Sequence, residues 1–284
     1  MTTDTLTGLL DQLWADYIAR VTHAQRYVEL VENAGGRVVN DHIALRTFNT
    51  HTGAQPAGIE GLERVFLGLG YEKKERYDFP TKKLTAYHYE HENILNPKIF
   101  ISQLEVDRLP AEAQAMIAET VMNAPDLLPA DMNDVAGLVK LFTRPWVPPK
   151  RSVVEAVNEH SQYAAWTLLH GNSVNHFTAF INEQQTPDMP DLVSTVEALK
   201  HMGVPMKDYI EGEVGSKLQQ SSTQAVMEDC EVVEDDGSTG TINWSYAYYE
   251  LAERNDVEVD GVRKQFSGFL GEQATNLFEM TKTS

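Results

Sequence analysis

Two histidines sit in matching local contexts far apart in the chain, Asp41-His42-Ile43-Ala44 and Asn175-His176-Phe177-Thr178. Each lies in a run rich in Val, Ile, Leu and Phe whose alternation fits a half-buried strand. A neutral imidazole on a strand face is a ready ligand for a divalent ion. Glu250, in Tyr248-Tyr249-Glu250, offers a carboxylate in a later strand-like run. Two imidazoles and one carboxylate make a three-donor site with coordination positions left open. Arg46 follows His42 by four residues, so with a period of two it faces the same side of its strand. A cation there needs an anion: either a substrate carboxylate held through paired hydrogen bonds or a protein carboxylate. The polar run from Leu218 to Thr223 brings the amide of Gln220 and the hydroxyls of Ser222 and Thr223, which could orient a small polar ligand or belong to a plain loop. Arg254, four residues after Glu250, could support that carboxylate or lie on the surface.

A lone strand histidine is more often structural than a ligand, and other histidines compete. His88 and His91 are expected near an exposed turn, and His160 and His170 in or at the end of a helix, where His170 would suit a helix C-terminus. What separates His42 and His176 from these is repetition. His42 precedes Gly70 by 28 residues and His176 precedes Gly203 by 27, with a helical pattern in each interval: Ile59, Leu62, Val65, Phe66 and Leu69 in the first, Leu192, Val196 and Leu199 in the second. Each half closes on a strand, 99–104 and 246–251. Two copies of a β-α-β-β-β unit follow, too long a period for a solenoid. If the two sheets curl into half-barrels, Glu250 points into the same concavity as both histidines. Its counterpart in the first copy is read as Gln103, a poor ligand, which favours three protein ligands over four.

The expected architecture is α+β: two pseudo-symmetric modules with added helices in one compact domain, residues 1–284. The first module covers 36–109, a helical insert and Pro-rich connector 110–170, the second module 171–256, and a C-terminal extension 257–284. Helices are expected over 5–33, over 152–169 and after Pro110. The acidic segment from Glu228 to Gly237 reads as a solvated hairpin with Asp236-Gly237 at its turn, and lacks EF-hand spacing.

Composition narrows the partners. With 42 acidic and 23 basic residues the formal charge is -19, which repels phosphates and anionic lipid, so neither nucleic acid nor a membrane is expected. No apolar run reaches the ~20 residues of a membrane span. The single cysteine, Cys230, excludes an internal disulfide and fits a reducing, cytoplasmic setting. Its acidic neighbours raise the thiol pKa and make it a poor nucleophile. Dinucleotide, P-loop, nucleophile-elbow and His-Glu-x-x-His signatures are absent.

In combination, the run Asp41 to Phe48, the Asn175-His176 pair and Tyr248-Tyr249-Glu250 with Arg254 resemble the 2-oxoadipate dioxygenase/decarboxylase family, a relative of the vicinal oxygen chelate proteins, over roughly 38–254. The best-known members are longer. The resemblance implies Fe(II) bound by His42, His176 and Glu250, with Arg46 holding the substrate. It implies a small 2-oxo acid and O2 as substrates, and for 2-oxoadipate the products 2-hydroxyglutarate and CO2, in lysine catabolism; self-association is left open. Two other classes stay in play. A glyoxalase-like isomerase or lyase would need a fourth ligand from Gln103 or Glu105, and a noncatalytic binding module would hold its ligand without metal.

Overall fold

The computed structural model describes residues 3–213, 215–259 and 261–270. The chain begins with α1 (Thr3–Arg20) and α2 (Thr22–Asn33), two helices where the periodicity predicted one. The break is Val21, whose φ of -101° and ψ of 86° leave the helical region while its side chain is fully buried. The first repeat then runs β1 (Asn40–Phe48), α3 (Ile59–Gly68), β2 (Tyr71–Phe79), β3 (Leu84–His91) and β4 (Lys98–Leu104). Strand β2 has charged residues at all its exposed positions and lies at the sheet edge, where such residues deter pairing with other chains.

The connector carries α4 (Ala111–Val121), a short α5 (Val135–Lys140), α6 (Arg151–His160) and α7 (Gln162–His170). The single helix expected over 152–169 is divided because Ser161 adopts extended geometry and its hydroxyl caps α7 by accepting from the Ala164 amide. The second repeat runs β5 (Val174–Phe180), α8 (Leu192–His201), β6 (Leu218–Ser222) and β9 (Glu250–Arg254), with the hairpin β7 (Met227–Val233) and β8 (Thr239–Ser245) inserted before β9. Among the described residues, its outer edge has the isolated bridges Met206–Thr223 and Glu211–Gln220 where the first repeat has β2. A ribbon of β10 (Asp256–Val259) and β11 (Val262–Gln265) follows, and the chain returns to the main sheet at 266–270. The remainder of the expected extension, 271–284, lies outside the described residues.

The main sheet has seven strands in the order β2-β3-β4-β1-β5-β9-β6. In each repeat the first strand pairs in parallel with the last, β1 with β4 and β5 with β9, and the repeats join through antiparallel β1 and β5. The strand 246–251 is shorter than expected: Tyr246 to Tyr249 lie outside the sheet ladder, with backbone hydrogen bonds to Val226 and Thr223, and β9 starts at Glu250. One face of the sheet packs on α1, α2, α3 and α8 through Leu9, Tyr17, Tyr27, Ile43, Leu45, Val65, Phe177 and Leu199, all buried. Burial of such side chains contributes ~1.5–3 kcal/mol each. The acidic hairpin forms where expected, but its inner face is not solvated: Cys230, Val232, Ile242 and Trp244 pack on Val154, Ala165 and Leu169.

Candidate functional site

Both histidines owe their setting to a β-bulge. In the β1–β5 ladder Asn40 pairs Ala179 and His42 pairs Thr178, leaving Asp41 as the extra residue on β1; Ala44 then pairs His176 and Leu45 pairs Val174, leaving Asn175 extra on β5. A strand residue and its predecessor normally point to opposite faces, and a bulge re-aims the extra side chain. Asp41 Oδ1 therefore reaches His42 Nδ1 at 2.7 Å, and Asn175 Oδ1 lies 3.1 Å from His176 Nδ1. With Nδ1–H donated to these oxygens, Nε2 is the lone-pair atom on each ring.

Those two Nε2 atoms converge on Glu250: His42 Nε2 is 3.5 Å from Oε1 and His176 Nε2 is 3.7 Å from Oε2. All three donor atoms lie within 4.8 Å of one another and all three residues are buried. Gln220 donates to Glu250 Oε1, and the Thr178 hydroxyl lies 3.0 Å from His42 Nε2. Glu250 Oε2 is buried without a hydrogen-bond partner, which is costly unless a cation meets it. Burial, with Glu211 and Asp41 nearby, pushes the Glu250 carboxyl well above its ordinary range, against the lowering effect of Lys207 and Gln220. Burial pushes both imidazoles down, His176 the further because His42 and Arg46 are close. Two neutral nitrogens and an orphaned carboxylate oxygen fit a divalent metal ion.

The counterpart of Glu250 is not Gln103. Thr178, two residues beyond His176, pairs with Glu250; Ala44, two beyond His42, pairs with Phe100. Phe100 therefore occupies the fourth corner of the pseudo-symmetric site and has no donor atom. Gln103 faces away: its Oε1 accepts from the Ile59 amide, and its Nε2 donates to Glu105. Glu105 in turn accepts from Asn49.

Arg46 shares the cavity with the three donors. The cavity holds about 500 Å³ of empty space, counting its mouth, and His42, Ala44, Arg46, Phe100, His176, Gln220 and Glu250 are in its wall. The Arg46 guanidinium lies 5.0 Å and 4.9 Å from the ring centroids of Tyr163 and Trp166 and is 2% exposed. At a rise of ~3.3 Å per residue the His42 and Arg46 Cα atoms are about 13 Å apart, with Ala44 between them. Gln220 reaches the cavity, as its residue type suggested. Ser222 stands opposite Glu250 in the ladder but off the cavity wall. Thr223 also lies off it: its hydroxyl accepts from the Tyr249 amide and donates to the Gln224 carbonyl. The polar run is the buried strand β6, not a loop.

Arg254, Tyr248, Ser102 and Phe269 complete the site. Arg254 forms a buried two-pronged pair with Asp41, Nη2 to Oδ1 at 2.8 Å and Nε to Oδ2 at 2.5 Å, so it supports His42 rather than Glu250. Tyr248 stacks on His176 with centroids 4.6 Å apart, and Ser102 bonds Tyr163 beneath Arg46. Phe269 sets its ring edge-on to His42 at 4.8 Å. The Asp and Asn before each histidine were visible as a sequence match; nothing local in the sequence marked Phe269.

The competing histidines have structural partners. His88 is buried, not exposed, because its Nδ1 lies 3.1 Å from the Tyr77 hydroxyl and its ring packs on Phe269. His91 caps a turn by accepting from the Asn93 amide, and His160 lies 3.2 Å from Glu112. His170 with Glu228 and Cys230 forms a second cluster of ligand types. There, however, Arg20 already binds the Glu228 carboxylate through both prongs, His170 Nε2 lies 3.0 Å from the Ser245 carbonyl, and burial carries the Cys230 thiol up to about 12. Among the described residues no helix is long and apolar enough to cross a membrane.

The profile of the 2-oxoadipate dioxygenase/decarboxylase family matches residues 4–282. The chain is 31% identical over 265 residues to the chloroplastic 2-oxoadipate dioxygenase/decarboxylase of Arabidopsis thaliana, covering 87% of this chain and 67% of that protein. Among solved structures, the hydroxyglutarate synthase of Oryza sativa in complex with 2-oxoadipate matches with a TM-score of 0.80 at 26% identity, over 99% of this chain and 94% of that one. A protein of Ralstonia eutropha described as glyoxalase-superfamily shares the fold, with a TM-score of 0.83 at 24% identity over 94% of this chain and 86% of that one.

Proposed function

The chain belongs to the 2-oxoadipate dioxygenase/decarboxylase family, and from that membership we propose that it is an Fe(II)-dependent enzyme converting 2-oxoadipate and O2 to 2-hydroxyglutarate and CO2. The observation that carries this reading is the pairing, in one buried cavity, of a three-donor cluster with a buried guanidinium on the same strand face. His42, His176 and Glu250 would hold the iron, whose chemistry when bound is chelation of a 2-oxo acid and activation of O2. The other assignments concern the protein's own groups. Arg46 binds the distal carboxylate through charge-assisted hydrogen bonds, and Tyr163 and Trp166 hold its guanidinium in place. Ala44, the smallest residue between the two poles, leaves room for the methylene chain. Gln220 fixes the orientation of Glu250, and Tyr248, Phe100 and Phe269 keep water from the reacting carbon.

Phe100 at the fourth corner weighs against the glyoxalase-like isomerase, which would need a donor there. The single, buried Cys230 is consistent with a cytoplasmic setting. The test is anaerobic reconstitution with Fe(II), then O2 uptake and CO2 release with a panel of 2-oxo acids. Stoichiometric O2 loss and CO2 gain with 2-oxoadipate are expected. Zinc-supported turnover without O2 would move the protein to the isomerase class, and ligand binding without metal or turnover would make it a binding module.

A further inference from the structure

We propose that Phe269 determines which 2-oxo acids the cavity admits, an assignment that rests on reading the site as a 2-oxo acid site. Phe269 belongs to neither repeat; it arrives on the segment after β11 and lies half-buried in the cavity wall. Its ring packs 4.8 Å from His42, 4.9 Å from Phe100 and 5.3 Å from His88, measured between centroids. The segment is pinned at several points: Arg254 Nη1 donates to the carbonyls of Phe266 at 3.2 Å and Gly268 at 2.7 Å, and the Phe269 amide donates to the Tyr77 hydroxyl at 3.1 Å. The same Arg254 side chain grips Asp41, which holds His42. The ring is thus fixed relative to the metal donors by a shared arginine. It offers no hydrogen bond, and with Phe79, Phe100, Leu45 and Leu270 it belongs to the apolar part of the wall. An unbranched methylene chain passes such a wall, whereas a branched or aromatic chain meets the ring.

The test uses the Fe(II)-reconstituted full chain with 2-oxoadipate, 2-oxo-4-methylpentanoate and phenylpyruvate, read as kcat/KM. The same three acids are also titrated anaerobically into the Co(II)-loaded protein and followed by its visible spectrum. Phe269→Ala is expected to lower the preference for 2-oxoadipate over phenylpyruvate by about tenfold or more, the range that a change in apolar pocket shape commands. The shift should come through tighter binding of the bulky acid, while Co(II) affinity holds within a few-fold because Phe269 carries no donor atom. Phe269→Leu should move the preference the same way by a smaller factor, and decides the matter if the alanine variant fails to fold. Unchanged preference in the folded variants overturns the role of Phe269 and leaves the function reading standing. A wild-type protein that neither binds nor turns over any 2-oxo acid overturns both.

Discussion

Asp41 and Arg254 form a fully buried ion pair whose carboxylate also anchors His42 through Nδ1. Metal-binding imidazoles are commonly fixed this way, and loss of the carboxylate usually weakens metal affinity by about 10–100-fold. Asp41→Asn should therefore lower Co(II) affinity by that range, measured by visible titration, while leaving all three donors in place. It also strands the Arg254 charge, so a loss of about 3 kcal/mol in unfolding free energy is expected by denaturant titration. Metal affinity equal to wild type would show that Asp41 is structural only.

The same carboxylate shapes the acid limb of stability. Burial by itself would raise the Asp41 carboxyl, but the charge and hydrogen bonds of Arg254, with those of His42, hold it far below the ordinary range. Glu90 falls to about 2 through its hydrogen bonds to His88 and Lys98, against partial burial. Depressed folded values mean that the unfolded chain binds more protons, so stability falls as pH drops. This contribution is complete above the unfolded values of ~4 and is lost from there down through pH 2. Unfolding followed from pH 5 to pH 2 should show that loss in the wild type and a shallower slope in Asp41→Asn. Parallel slopes would contradict the assignment.

Arg46→Ala removes the cation proposed to hold the distal carboxylate. Hydrogen bonds to charged groups are worth ~1.5–3 kcal/mol, so kcat/KM for 2-oxoadipate should fall by about 10–100-fold. 2-Oxohexanoate, with the same chain length and no second carboxylate, should lose little. Equal losses on both acids would remove Arg46 from substrate recognition.

The sequence made the convergence of the candidate donors and Arg46 legible because facing on strands is position-specific: His42, His176, Glu250 and Arg46 all line one cavity. Register was not legible. Matching the closing strands 99–104 and 246–251 puts Gln103 opposite Glu250, whereas the parallel pairing of each first strand with its last puts Phe100 there. A one-residue slip on a strand exchanges faces, and no local residue announces it. Helix breaks at Val21 and Ser161 were hidden for a related reason, since both residues continue the apolar and polar rhythm of the helices they divide. Thr223 was placed on the site by type alone, and its hydroxyl serves the backbone of Tyr249.

Glu250 offers the clearest separation of stability from function. Burial and the charges of Glu211 and Asp41 raise its carboxyl well above the ordinary range, so the metal-free fold binds a proton that the unfolded chain releases near pH 4. A raised folded value gives stability that is present below the unfolded pKa and lost as pH rises toward the folded one. At pH 7.5 the metal-free protein therefore carries the cost of a carboxylate that prefers to be protonated, with Oε2 unpaired. Glu250→Gln removes that cost and keeps the oxygen that accepts from Gln220, while the introduced amide has His176 Nε2 within reach at a carboxylate position now 3.7 Å away. The metal-free variant should melt higher than metal-free wild type at pH 7.5, by ~2–4 °C for each kcal/mol recovered, and the difference should shrink toward pH 4.5. Adding Co(II) at a hundredfold excess over its dissociation constant should stabilise the wild type by about 2.7 kcal/mol and the variant far less. A variant that melts below wild type at pH 7.5 without metal, or one that gains as much from Co(II), would refute the view of Glu250 as a carboxylate held at a cost to stability for a cation.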